Sequence, residues 1–160
     1  MVREPRQKSE YEQKLTDLRR VARVVAGGRR FTFRAAVVIG NKKGDVGFGL
    51  GKAADTSQAI EKAVRKARKS LIHVPLTKDE SIPHEVYSKF GSARVVLRPA
   101  KAGRGLVAGG AARTVLALAG VKNASAKILS HTKNKLTNAL ATLEALKLLK
   151  ERKRQKNAGS

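Results

Sequence analysis

The sequence predicts an α+β fold of two modules in tandem, β-β-β-α followed by β-α-β-α. Three observations carry that expectation. Apolar residues alternate with polar or glycine positions in three short runs within residues 18–50, and Gly-containing turns separate the runs. A stripe of helical period follows over residues 55–71. Beyond a segment bounded by Pro75 and Pro83, extended and helical patterns alternate twice more. With 160 residues and a hydrophobic fraction of 41%, the chain can build one large core or two small ones.

Residues 1–16 are polar and highly charged without an apolar stripe, and a flexible arm is expected there. The first strand is expected from Leu18 to Val25, with Val21, Val24 and Val25 as its apolar content. Gly27-Gly28 suits a hairpin turn that needs positive φ. In the next run Phe31, Phe33, Ala35, Val37 and Ile39 share one face, with Thr32 and Arg34 on the other. Asn41-Lys42-Lys43-Gly44 signals a second turn. Val46, Phe48 and Leu50 then alternate with Gly47, Gly49 and Gly51, so the third strand has one bare face. The three read as an antiparallel meander.

Asp55, with Gln58 three residues on, resembles a capping box. Ile60, Ala63, Val64, Ala67 and Leu71 form the apolar stripe of a helix expected to end near His73. Residues 75–83 read as a linker. In the second half a strand is expected over residues 93–97, stopped by Pro99, and a glycine-rich loop follows over 101–105. Gly109-Gly110 opens a helix with Ala112, Val115, Leu116 and Ala119 on its apolar face, and Gly120 ends it. A shorter strand over 124–130 precedes a last helix marked by Leu136, Ala139, Leu140, Leu143 and Leu146. The division expected is an arm (1–16), a first domain (17–78), a second (79–149) and a basic tail (150–160).

Charge bounds the function. The chain has 35 Lys and Arg against 12 Asp and Glu, a formal net charge of +23. Residues 1–80 hold 19 basic and 9 acidic residues, and residues 81–160 hold 16 and 3. Between Val86 and Leu143 there is no carboxylate, while ten Lys and Arg occur. A solvated surface normally mixes both signs, so this distribution points to a polyanionic partner. The absence of Cys excludes disulfides, thiolate metal sites and a cysteine nucleophile. No apolar run approaches the roughly 18 residues of a membrane span, and the first residues lack a signal-peptide core, so a cytosolic location without a membrane partner is expected.

Catalytic groups are scarce. His73, His84 and His131 are far apart without metal-ligand spacing, and the acidic pairs lie in expected loop or arm. No catalytic residue, metal or cofactor is assigned. The glycine run fails as a P-loop, because Ala53 follows Gly51-Lys52 and Val46 stands at the first Gly. Residues 49–54 fit the loose dinucleotide fingerprint, but no acid follows at the right distance, where Lys69 and Leu71 stand. Gly47-Phe48-Gly49 matches only the centre of an RRM motif. Six aromatics in all make base stacking a minor device.

The basic groups form clearer candidates. Arg29-Arg30 after Gly27-Gly28 places two guanidiniums at a hairpin tip. Lys62, Arg65, Lys66 and Lys69 share a helix face. Lys101 and Arg104 lie in a Gly-rich loop ahead of a helix N-terminus, whose free N–H groups and dipole suit a phosphate. The mechanism is recognition of backbone and shape, with affinity that falls steeply as salt rises.

Residues 20–33, with Val25-Ala26-Gly27-Gly28-Arg29-Arg30 at their centre, are followed at fixed spacing by Gly44-Asp45-Val46-Gly47-Phe48-Gly49-Leu50-Gly51-Lys52-Ala53. Ala59-Ile60-Glu61-Lys62-Ala63, Lys66-Ala67-Arg68-Lys69, Ile82-Pro83-His84-Glu85-Val86, residues 105–113 and Ala119-Gly120-Val121-Lys122 complete the series. Together, over roughly residues 17–149, they resemble the bacterial small-subunit ribosomal protein five family. The resemblance implies a domain similar to a double-stranded-RNA-binding domain without its first helix, then a split β-α-β domain. It implies a non-enzymatic component of the small ribosomal subunit that binds 16S rRNA and helps set decoding accuracy. Residues Arg20, Arg23, Gly27, Gly28, Arg29, Arg30, Lys52, Lys62, Arg65, Lys66 and Lys69 are the RNA-binding candidates. The segment from Val25 to Arg30 looks like the hairpin near the spectinomycin site. Lys101, Gly103, Arg104, Gly105 and Arg113 look like the contact with the fourth small-subunit protein or with RNA; the eighth is a further expected neighbour. Basic residues near the messenger entrance are implied to help unwind mRNA. One stretch departs from the family pattern: His131-Thr132-Lys133-Asn134-Lys135-Leu136-Thr137 has Lys135 in place of Pro and Thr137 in place of Asn. A free nucleic-acid chaperone and a nucleotide-dependent enzyme are the rival readings; the first needs no ordered modules, and the second rests on residues 49–54 alone.

Overall fold

Glycine decides how the first module packs. In the computed structural model, which describes residues 10–150, β1 (Glu12–Val25), β2 (Gly28–Gly40) and β3 (Asp45–Ala53) form an antiparallel meander, and α1 (Thr56–Lys69) lies across it. The bare face of β3 is the face α1 covers. A Cβ on Gly47, Gly49 or Gly51 would collide with the carbonyl oxygens of Ala67, Ala63 and Ala59 respectively. Those three alanines are fully buried, so the centre of the helix stripe is Ala59, Ala63 and Ala67, with Ile60 and Val64 on its half-buried flank. Small residues on both elements let the backbones approach, and at the C-terminal end of the seam the Ser70 hydroxyl donates to the Phe48 carbonyl of β3 at 2.7 Å.

β2 is buried on both sides. Ala35, Val37 and Ile39 face α1, whereas Val38 joins a second core with Val46 of β3 and the helices of the C-terminal module. The expected alternation of apolar and polar residues therefore holds for residues 31–34 and gives way to continuous burial over 35–40.

The second module contains β5 (Val86–Phe90), β6 (Ala93–Pro99), β7 (Leu106–Val107), α2 (Gly110–Ala119), β8 (Ala124–Ile128) and α3 (Lys135–Lys147). Its sheet has the order β5-β6-β8-β7, with only the β7–β8 pair parallel. The α+β class and both modules are as expected, but several elements differ. β5 is an added strand that forms a hairpin with β6. Its inward residue Ser88 is polar, which hides the period; the hydroxyl donates to the Ala141 carbonyl at 2.6 Å. β1 begins at Glu12, so the part of the expected arm over 12–16 is strand, while residues 1–9 lie outside the described residues. Its outer half is polar because it is an edge strand. α1 stops at Lys69, and β4 (Ile72–His73) turns back to pair with β3. Asp55 sits at the N-cap of α1 but makes no side-chain cap hydrogen bond. The basic tail lies outside the described residues, apart from Lys150.

The expected linker is pinned. Val74 and Ile82 are buried, Ser81 bridges to Asn123, and the Glu80 carbonyl accepts from the N–H groups of Lys122 and Asn123. The modules also join through the β2–β3 turn. Gly120, at φ +92, ends α2 in the left-handed region. The N–H groups of Lys42 and Gly44 donate to the carbonyls of Leu118 and Ala119 at 3.0 and 2.9 Å, which satisfies the open end of α2 from the other module. Gly40 and Gly120 both lie where a Cβ would strike backbone across this joint.

Replacing Gly49 with Ala is expected to lower the unfolding free energy by about 2–3 kcal/mol, because its Cβ meets helix backbone that cannot rotate away. Gly27→Ala, with no atom within 4 Å of the added carbon, is expected to change it by less than ~0.5 kcal/mol. Urea melts of both variants check the contrast.

Candidate nucleic-acid interface

The hairpin between β1 and β2 closes with a two-residue loop, Ala26-Gly27, flanked by the pair Val25 and Gly28. Gly28 carries φ +133, a conformation that L side chains rarely adopt. Stepping outward from that loop fixes every cross-strand partner. Arg23 stands opposite Arg30, and Arg19 opposite Arg34. Arg34 in turn stands opposite Lys52 of β3. Strand alternation puts all five on one side of the sheet, away from α1.

Directly opposed side chains in a sheet lie about 5 Å apart at Cβ, and like charges there are destabilising. Asp17, on the same side, pairs with Arg19 at 2.9 Å. Among the described residues no ion pair forms with Arg23, Arg30, Arg34 or Lys52. The row Arg19–Arg34–Lys52 and the pair Arg23–Arg30 therefore present a compact positive surface that the protein itself leaves largely uncompensated.

The other side of the hairpin is different. Arg20 stacks over Phe31, its guanidinium carbon 4.4 Å from the ring centroid. Val24 and Phe31, opposite Arg29 and Ala22, are 76% and 49% exposed. Apolar surface so open beside two arginines is suited to lie in a groove or against sugars. Lys62, Arg65, Lys66 and Lys69 are exposed on α1, on the same side of the sheet as Arg20 and Arg29. The expected helix track thus accompanies Arg20 and Arg29, and Arg23, Arg30 and Lys52 belong to the opposite side.

In the second module Lys101 and Arg104 share a turn closed by the Arg104 N–H on the Lys101 carbonyl at 3.2 Å. Gly103 and Gly105 adopt φ +85 and +78. Asn123 holds this loop: its Oδ1 accepts from the Gly105 N–H at 3.1 Å, and its Nδ2 donates to the Asp79 carbonyl at 2.8 Å. Lys101 and Arg104 are exposed as a result of a fixed loop, and β7 separates them in sequence from the α2 N-terminus. Arg113, exposed on α2, reaches back to the Leu106 carbonyl at 3.5 Å.

Arg19 and Arg34 in the charged row and Asn123 beneath the loop are positions that sequence patterns alone do not single out. For the two arginines the loop position decides: counting from Ala26-Gly27 pairs them, whereas the expected Gly27-Gly28 loop would set Arg19 opposite Ala36 and Arg34 opposite Val21. No sequence signal marks Asn123. Of the three histidines, His73 pairs with Asp45 at 2.7 Å, and Nε2 of His84 accepts from the Lys150 N–H at 3.1 Å. No group of three or more His, Cys, Asp or Glu able to hold a metal occurs among the described residues, and no helix there is long and apolar enough to cross a membrane.

Residues 11–75 match the description "Ribosomal protein S5, N-terminal domain", and residues 88–158 match "Ribosomal protein S5, C-terminal domain". The chain is 51% identical over 142 residues to the small ribosomal subunit protein uS5 of Synechococcus elongatus, covering 89% of this chain and 78% of that protein. It is 49% identical over 148 residues to uS5 of Thermosynechococcus vestitus, covering 92% and 84%. With uS5c of Gracilaria tenuistipitata it shares 47% identity over 149 residues, covering 93% and 86%.

Arg30→Thr removes one of two opposed charges and adds a strand-favouring residue. It is expected to leave the free chain as stable or to stabilise it by up to ~1 kcal/mol. The gain shrinks as salt rises, because salt already screens the repulsion. Denaturant melts at low and high salt check this.

Proposed function

The chain belongs to the ribosomal protein S5 family, and from that premise we propose that it is a structural, non-catalytic component of the small ribosomal subunit, located on the ribosome and held by 16S rRNA. The observation that carries the reading is the set of like charges facing one another across β1, β2 and β3. A free protein gains nothing from opposing Arg23 to Arg30 and Arg34 to Lys52, whereas a phosphate backbone laid over them converts repulsion into several charge-assisted hydrogen bonds.

On this reading Arg20, Arg23, Arg29, Arg30 and Lys52 contact RNA from the two sides of the hairpin, with Gly27 and Gly28 allowing close approach at its tip. Lys62, Arg65, Lys66 and Lys69 follow the backbone along α1. The tip from Val25 to Arg30 lies near the spectinomycin site. Lys101, Gly103, Arg104, Gly105 and Arg113 meet the fourth small-subunit protein or RNA, a role suited to a loop whose shape Asn123 and two positive-φ glycines fix. Through that contact the chain influences decoding accuracy; the eighth small-subunit protein is a further neighbour, and exposed basic residues lie near the messenger entrance. The first domain runs to residue 78 and takes in all of β1 from Glu12, and the second covers residues 79–149, each with its own sheet.

The chain is expected to co-sediment with small subunits through a high-salt wash, and its absence from them would contradict the proposal. For the hairpin, Arg29→Ala with Arg30→Ala is expected to weaken binding to a 16S rRNA fragment. The slope of log affinity against log salt is expected to fall by about 1 for each phosphate that the variant no longer neutralises. Filter binding across a salt series measures the slope; an unchanged value rejects these arginines as phosphate ligands.

A further inference from the structure

Polar groups that the fold leaves without partners gather in one cleft between the modules. It encloses about 390 Å³ and is lined in part by Thr16 beside the β1 bulge, Gly110 and Ala111 of α2, and Lys135 and Asn138 of α3. α2 begins here with Gly109 at its N-cap. No side chain caps it, and no acidic residue stands in its first turn. Its leading N–H groups, on Gly110, Ala111 and Ala112, therefore lack acceptors within the helix. No atom lies within 4 Å of where a Cβ on Gly110 would be, so the approach is open. A helix N-terminus of this kind favours an anion, and the exposed Lys135 at the rim adds a full positive charge.

A second observation concerns a different kind of group. Asn138 is only 6% exposed. Its Nδ2 donates to the Thr132 carbonyl at 3.2 Å, which fixes the orientation of the amide. Its Oδ1 is left buried without a hydrogen-bond partner, as is the Oγ1 of Thr16 in the same cleft. A carbonyl oxygen of this kind asks for a donor. A metal cation would satisfy the oxygens but is disfavoured beside Lys135 and the positive end of α2. A neutral donor next to an anion satisfies both halves of the cleft.

We propose that this cleft is a ribose-phosphate site, in which the α2 N–H groups and Lys135 hold the phosphate and a ribose hydroxyl donates to Oδ1 of Asn138. The hydroxyl of Thr16 serves the same sugar as donor or acceptor. The ribose phosphate comes either from an RNA strand, which rests on the RNA-binding reading above, or from a free mononucleotide. Lys135 lines the cleft. It is also the first residue of α3, a position at which proline is well tolerated. Lys135→Pro is therefore a change that removes the charge and keeps the helix.

The test uses the full chain and follows the backbone amide NMR signals of Gly110, Ala111 and Ala112. The probes are adenosine monophosphate, its 2′,3′-dideoxy analogue, hexauridylate and hexadeoxyuridylate. The ribose probes are expected to shift these amides, with the deoxy probes about fivefold weaker because they cannot donate a hydroxyl to Asn138. Lys135→Pro and Lys135→Gln are each expected to weaken the ribose probes several-fold, with fold checked by circular dichroism. Shifts from the hexamer alone identify an RNA strand as the source, and shifts from the mononucleotide as well identify a free nucleotide. Equal affinity for ribose and deoxyribose probes overturns the proposal, and so does the absence of shifts at all three amides. If the chain still binds a 16S rRNA fragment in that case, the RNA-binding reading stands and only this site fails.

Discussion

Burial of β2 on both faces is the constraint from which the rest of the molecule follows. One face needs a helix, and the glycines of neighbouring β3 admit α1 so closely that its alanines, rather than larger residues, make the contact. The other face needs a second module, because Val38 and Val46 have no covering element of their own and complete a core with α2 and α3. The β2–β3 turn then reaches the C-terminal carbonyls of α2, so the polar ends of one module are satisfied by the other. Once β2 is sandwiched over residues 35–40, the tip of the β1–β2 hairpin, up to Arg34, projects beyond the core. Its arginines are thereby held on a stiff ribbon.

That arrangement explains how so high a charge is tolerated. The excess is kept away from the sandwiched part of β2 and placed on the projecting hairpin, the outer side of α1 and the loop held by Asn123. Apolar burial and the joint between modules supply the stability, so the charged surface is free to be shaped for a partner. Opposed like charges are a cost in isolation and an advantage against a polyanion. The same separation gives the two sides of the hairpin different characters, one built of opposed charges and the other of Arg20, Phe31 and Val24.

Much of this is legible in the sequence because it rests on local rules. The meander, α2 with its Gly120 stop and the last helix all follow from period and turn chemistry, while the first hairpin's loop is Ala26-Gly27, one residue earlier than the expected Gly27-Gly28 turn. What escapes depends on tertiary context. The β5 strand is hidden because Ser88 is buried through a hydrogen bond rather than by being apolar. Ala59 looks like a minor residue, since its importance comes from the glycine opposite. The 75–83 segment reads as a linker because Pro and polar residues suggest one, whereas its Asp79 and Glu80 carbonyls accept hydrogen bonds from Asn123 and Lys122. For the site, each basic residue is visible, yet the row Arg19–Arg34–Lys52 requires knowing the register across three strands. The cleft at Asn138 needs both modules and has no signal in either alone.

Native-state hydrogen exchange in increasing denaturant tests the central claim most directly. If β2 is held from both sides, its amides over residues 35–40 and those of α2 open with the same free energy, equal to that of global unfolding, while the hairpin tip exchanges far more readily. Amides of β2 that stay protected in a state where α2 has already opened would mean that the first module stands alone, and would contradict the account.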